Sequence, residues 1–153
     1  MKGLILGTLL LAAAQANGQG TERHGSSDRF SGESVAIAWG VLRGPDEART
    51  EVRLRVSADP ARYTHFAVIG MNPFSREEAV LAAPRPGAPP AIVTLSRARF
   101  AQLPRTEVRF FAAERDAAAG KAALVVFYLG VPDTAPEFDD EGQLTRYLEG
   151  ERR

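Results

Sequence analysis

Residues 34–57 read SVAIAWGVLRGPDEARTEVRLRVS and contain the pattern that decides the fold. Apolar side chains recur at every second position on both sides of the sequence Gly44-Pro45-Asp46. Because successive side chains of a strand point to opposite faces, this period of two predicts two strands, and the Gly-Pro-Asp sequence predicts a turn between them. We therefore expect an antiparallel β-hairpin at this point of the chain.

Four further runs of apolar residues predict four more strands. They span residues 63–70, 91–97, 107–113 and 122–129. The last run, AALVVFYL, is apolar on both faces, which indicates a central strand covered on both sides. Ser75-Arg76-Glu77-Glu78 has the composition of a helix capping box, so we expect a short helix through Leu81 or Ala82 and then an extended loop over residues 84–90.

The end of the chain predicts an amphipathic helix over residues 135–149. Leu144, Tyr147 and Leu148 fall on one face at helical spacing, and this face would dock on the sheet over the strand at 122–129. The predicted fold is mainly β: an antiparallel β-sandwich, immunoglobulin-like or similar, of about six to seven strands with a C-terminal helix packed on the sheet. The alternative is a single curved sheet wrapped on that helix.

The first sixteen residues predict a cleavable signal peptide. One lysine precedes twelve uncharged residues, and Ala14 and Ala16 then form an A-x-A cleavage site before Asn17. Polar Gln15, Asn17 and Gln19 end the apolar run before it reaches the roughly 20 residues that span a bilayer, so we expect release of the chain after cleavage rather than a membrane anchor. The expected location is the periplasm, or outside the cell after full secretion.

The polar composition of residues 17–33 predicts a flexible leader, because so few apolar groups cannot offset the entropy of ordering. Residues 34–153 then form a single β-rich domain. The chain contains no cysteine, which excludes disulfides, thiol catalysis and lipid attachment at a cysteine. Its 19 Lys and Arg balance 19 Asp and Glu, and this neutrality argues against nucleic acid as a partner.

Arginines provide the candidate binding surface. The predicted contacts to a partner or to a small anion are Arg53, Arg55, Arg97 and Arg99. Each pair shares a strand face, and four neighbouring guanidinium groups would suit a carboxylate or phosphate. The alternative is a solvated sheet face on which these arginines pair with Glu51 and Glu107.

The sequence contains few candidate catalytic residues. His65 is the one histidine inside the predicted domain, and it could serve as a general base beside a carboxylate. An acidic cluster comprises Asp133, Glu137, Asp139, Asp140 and Glu141. Its spacing is not that of a calcium loop, and favourable interaction with the helix dipole explains it better. We predict no cofactor and no metal.

These observations favour an exported, non-catalytic binding or accessory module of the periplasm, whose partner is an envelope protein or a small anionic ligand. One alternative is a small periplasmic hydrolase that uses His65 or the carboxylates near Asp133 and Glu137. The other alternative is a structural or assembly subunit that acts by strand addition.

Overall fold

The structure is a computed structural model that describes residues 21–25, 28–32, 34–72, 74, 78–86, 90–102, 105–129 and 135–150. The predicted signal peptide and its cleavage site at Ala14, Ala16 and Asn17 lie outside these ranges. None of the helices within them is long and apolar enough to cross a membrane.

Ten strands and three α-helices make up the described part of the chain. The strands are β1 (Thr21–Gly25), β2 (Arg29–Gly32), β3 (Val35–Leu42), β4 (Glu51–Ala58), β5 (His65–Met71), β6 (Glu78–Pro86), β7 (Ala91–Ser96), β8 (Arg105–Phe111), β9 (Leu124–Leu129) and β10 (Glu137–Phe138). The helices are α1 (Arg97–Gln102), α2 (Glu114–Ala119) and α3 (Glu141–Leu148), and one 3-10 turn spans Glu47–Arg49.

The strands form two mainly antiparallel sheets. The first has the order β1-β9-β8-β5-β6, and the second has the order β10-β3-β4-β7 with β2 also pairing with β3. Two pairs, β1 with β9 and β10 with β3, are parallel. The predicted mainly β class with a C-terminal helix is confirmed, while the predicted number of strands was too low.

The predicted hairpin is confirmed as β3 and β4. The two strands pair antiparallel over their whole length, from Val35 opposite Ala58 to Leu42 opposite Glu51. At the turn, the Gly44 N–H donates to the Thr50 hydroxyl at 3.1 Å. A Cβ at Gly44 would lie 2.3 Å from the Arg49 carbonyl oxygen, so the turn has no room for a larger residue.

Both sheets contribute side chains to one main core. Its large, fully buried members include Trp39 and Leu54 from the second sheet and Phe66 and Phe110 from the first. The alternation along β4 sends Val52, Leu54 and Val56 into this core. Its arginines consequently lie on the opposite, outer face of the second sheet.

The prediction of a flexible leader over residues 17–33 is wrong for Thr21–Gly25 and Arg29–Gly32. The first segment pairs with β9 and the second with β3. A strand at a sheet edge obtains its backbone hydrogen bonds from its neighbour, so it does not need an apolar composition. The ordered fold therefore begins before Ser34.

The short helix predicted after Ser75 is also wrong within the described residues. Glu78–Pro86 instead forms edge strand β6, which pairs antiparallel with β5. Its register is irregular around Val68, and the predicted loop over residues 84–90 begins inside the strand. Proline is tolerated on an edge strand because the missing N–H can face away from the sheet.

The apolar strand predicted at 122–129 is confirmed as β9, which lies between β1 and β8. Leu124 and Val126 enter the main core, whereas Val125 and Phe127 join a second apolar cluster on the outer face. Ala117 of α2 packs against that second cluster. The C-terminal helix was expected on this strand, and it packs elsewhere.

Helix α3 begins at Glu141 rather than at residue 135. Glu137 and Phe138 pair with β3 as β10, and Asp140 then caps the helix by accepting the Gln143 N–H at 2.8 Å. The predicted face of Leu144, Tyr147 and Leu148 is confirmed as buried. It contacts Ala38 on the outer face of β3, within the second sheet.

Two contacts hold α3 close to that sheet. A Cβ at Gly40 would lie 2.6 Å from the Leu144 Cδ1 atom, so glycine at this position allows the helix to approach. The Arg29 guanidinium lies 4.3 Å from the centre of the Tyr147 ring and also donates to the Tyr147 carbonyl oxygen. The helix thus forms one wall beside the outer face of the second sheet.

Candidate ligand groove

Arg53 projects from the outer face of β4 between two carboxylates. Its guanidinium donates to Glu51 at 2.9 Å and to Glu141 of α3 at 2.8 Å. Burial lowers the pKa of Arg53, but the hydrogen bonds and charges of Glu141 and Glu51 outweigh burial and hold the pKa above its ordinary value. Arg53 therefore carries a charge that is already neutralised.

Arg97, the first residue of α1, is neutralised in the same way. Its guanidinium contacts Glu137 of β10 at 2.8 Å and Glu47 at 3.6 Å. Arg43 contacts the same Glu137 at 3.3 Å and Asp139 at 3.4 Å. These pairs fasten β10 and the chain after it to neighbouring parts of the second sheet.

We call this set the arginine–carboxylate network. It comprises Arg43, Arg53 and Arg97 with Glu47, Glu51, Glu137, Asp139 and Glu141. Because the carboxylates outnumber the guanidinium groups, the network offers no spare positive charge to a ligand. Two members of the predicted four-arginine patch, Arg53 and Arg97, therefore lie in ion pairs with carboxylates.

The predicted acidic cluster belongs to the same network. Three of its described members pair with arginine, and the fourth, Asp140, is the N-cap of α3. Asp133 lies outside the described residues. Within the described part of the chain, no group of three or more His, Asp or Glu side chains could hold a metal ion.

The remaining two arginines differ from each other. Arg99 is exposed on α1 and donates to the Gln102 side chain of the same helix at 3.3 Å. Glu107, the other predicted acidic partner, pairs with Arg109 on its own strand at 2.5 Å. Arg55 makes no side-chain hydrogen bond or ion pair with any described residue, which distinguishes it from Arg53 two positions earlier on the same face.

Arg55 lines a groove between the outer face of the second sheet and helix α3. The groove has a volume of about 260 Å³, and its lining residues are Arg53, Arg55, Pro90, Ile92, Thr145, Leu148 and Glu149. Ile92 lies opposite Arg55 in the pairing of β7 with β4, and half of its surface is exposed. The groove therefore presents, next to apolar surface, a guanidinium that pairs with none of the described carboxylates.

His65 lies on β5 in the other sheet. Its Nδ1 atom is 3.0 Å from the Thr64 hydroxyl, and no carboxylate of the described residues lies within ion-pair distance of its ring. Glu137, one of the carboxylates named for the alternative hydrolase, contacts Arg43 and Arg97. Among the described residues, His65 therefore has no carboxylate beside it to act as the acidic partner of a general base.

The groove was not predicted from the sequence, although one signal for it was present. Val93 and Leu95 alternate inward along β7, so Ile92 on the opposite face is an apolar residue on a surface that should be polar. The contribution of Leu148 and Glu149 depends on where α3 docks, and no local pattern contains that information. Comparisons with protein-family models, curated proteins and solved structures gave no match for this chain.

Proposed function

We propose that this chain is an exported, non-catalytic binding or accessory module of the periplasm, and that its ligand carries a carboxylate to Arg55. The proposal of export comes from the lysine, the uncharged run and the A-x-A site at the start of the sequence. The carboxylate comes from the chemistry of the groove. We further propose that the two sheets face each other as a β-sandwich of immunoglobulin-like type, which the shared core supports.

The observation that carries the proposal is the difference between Arg53 and Arg55. Both extend from the same face of β4, and of the two only Arg53 has a carboxylate partner among the described residues. A guanidinium group has a fork of donors that matches a carboxylate, and neighbouring apolar surface strengthens such a pair by reducing its hydration. Arg55 beside Ile92 has these properties, so it is the group on which a ligand anion would bind.

The test uses 4-methylpentanoate, a small carboxylate with a branched aliphatic tail, in an NMR titration of the full chain. We expect backbone amide shifts at Ile92 and Leu148, and we expect Arg55→Gln to weaken binding about tenfold or more. Arg99→Gln is the matched control, because Arg99 is an exposed arginine outside the groove. Equal binding by the Arg55 variant, or shifts confined to other parts of the molecule, would contradict the proposal.

A second candidate function, strand addition, is supported by β7. Among the described residues, this strand is the last of its sheet and pairs with β4 alone. It contains no proline and no charged residue, and Thr94 on it is exposed, so it lacks the features that usually prevent edge-to-edge pairing. Light scattering across a concentration series tests it: oligomers that form in the wild type should be lost in Thr94→Lys and retained in Thr64→Lys.

A further inference from the structure

Glu149 is a second charged group of the groove, and it has no charged partner among the described residues. It follows α3 directly as the C-cap, and its backbone N–H bonds to the Thr145 carbonyl oxygen. Its side chain is exposed and makes no hydrogen bond or ion pair with a described residue. The helix wall of the groove therefore carries one unneutralised negative charge.

The direction of α3 adds to this negative wall. Leu148 is the last residue of the helix, so the groove lies at the helix end where the backbone dipoles present their negative pole. Cations are favoured at that end and anions are disfavoured. Both the side chain of Glu149 and the backbone before it thus favour a positive group on the ligand.

The opposite wall carries the positive charge of Arg55. The two side chains line the same groove, yet they are not within the 4.0 Å that defines an ion pair. A ligand with only a carboxylate would satisfy Arg55 and place a like charge near Glu149. A ligand that also carries an ammonium group would place an opposite charge beside both Arg55 and Glu149.

The space between the walls is small and partly apolar. Its volume of about 260 Å³ lies below the range of roughly 300–1,000 Å³ typical for drug-sized ligands. Pro90, Ile92 and Leu148 line it with apolar surface. We infer that the groove binds a small zwitterion, with its carboxylate on Arg55, its ammonium on Glu149 and a short aliphatic group against Ile92; this inference rests on the proposed function.

Three probes of nearly the same skeleton separate the contributions of the two charges. Leucine carries both charges, 4-methylpentanoate lacks the ammonium group, and 3-methylbutylamine lacks the carboxylate. In titrations of the full chain by NMR, we expect leucine to bind about tenfold more tightly than either of the others. We expect Glu149→Gln to remove this advantage of leucine over 4-methylpentanoate while leaving the binding of 4-methylpentanoate at least as strong.

Glu114→Gln is the control variant, since Glu114 is an exposed glutamate on α2 and does not line the groove. It should leave all three affinities unchanged. If leucine and 4-methylpentanoate bind equally and Glu149→Gln changes neither, the zwitterion inference is overturned and the carboxylate site at Arg55 stands. If no probe shifts the groove amides, the carboxylate site fails as well.

Discussion

Replacing either of two buried threonines by valine should change the free energy of unfolding, and the two changes should have opposite signs. Thr106 on β8 is fully buried, and its hydroxyl oxygen has no hydrogen-bond partner among the described residues. Thr50 is almost as buried, but its hydroxyl accepts the Gly44 N–H at 3.1 Å and donates to the Asp46 carbonyl oxygen at 2.8 Å. The substitution removes one hydroxyl and keeps the β-branched shape in both cases.

A buried hydroxyl without a partner costs about 1–3 kcal/mol of stability, so Thr106→Val should raise the free energy of unfolding by about 1 kcal/mol. Thr50→Val should lower it by about 1–3 kcal/mol, because it leaves the Gly44 N–H without its acceptor. The assay is urea denaturation followed by circular dichroism, with unchanged m-values as the condition for comparing the two variants. A loss of stability in Thr106→Val comparable to that in Thr50→Val would refute the reasoning, since it would show that the Thr106 hydroxyl is hydrogen-bonded in solution.

Three further substitutions test the contacts that hold the outer elements, each by the same denaturation assay. Gly40→Ala should lower the free energy of unfolding by about 1–3 kcal/mol, because its Cβ meets the Leu144 side chain. Leu144→Ala should then lower the free energy of unfolding less in this variant than in the wild type. If the effects of the two substitutions simply add, the clash is contradicted. Arg109→Gln should lower the free energy of unfolding by roughly 3 kcal/mol, because it leaves the buried Glu107 carboxylate without its main partner. Adding Glu107→Gln to this variant should recover part of the lost stability, and no recovery would contradict the pairing. Asp140→Ala should lower the free energy of unfolding by about 1 kcal/mol, because α3 loses its N-cap. An unchanged midpoint of urea denaturation would show that the cap is dispensable.

The parts of the fold that could be predicted are those specified by neighbouring residues. The hairpin of β3 and β4 follows from alternation on both sides of one turn, and all of its partners lie within 24 consecutive residues. The buried face of α3 follows from helical spacing over Leu144, Tyr147 and Leu148. In the hairpin the pattern and the contacts that it predicts lie in the same short segment, whereas in α3 the pattern shows which face is buried but not which strand covers it.

The parts that could not be predicted depend on distant partners. Thr21–Gly25 is polar, and it is a strand because β9, about a hundred residues later, presents an open edge to it. Glu137–Phe138 has the composition of a helix start, but β3 offers it a parallel pairing and delays the helix until Glu141. Local propensity is weaker than the backbone hydrogen bonds that such a neighbour supplies.

The candidate site shows the same division between local and distant information. The arginines and the acidic cluster suggest two separate sites in the sequence, because the pairs that join them, such as Arg53 with Glu141, connect residues 88 positions apart. Once folded, most of these charges neutralise each other, and such pairs mainly secure β10 and α3 against the sheet. Among the described residues, Arg55 is the arginine on this face of β4 that has no carboxylate partner, and it is the one that we propose to bind the ligand. The proposal therefore rests on which arginine lacks an ion pair with a described residue, and not on the number of arginines that share one strand face.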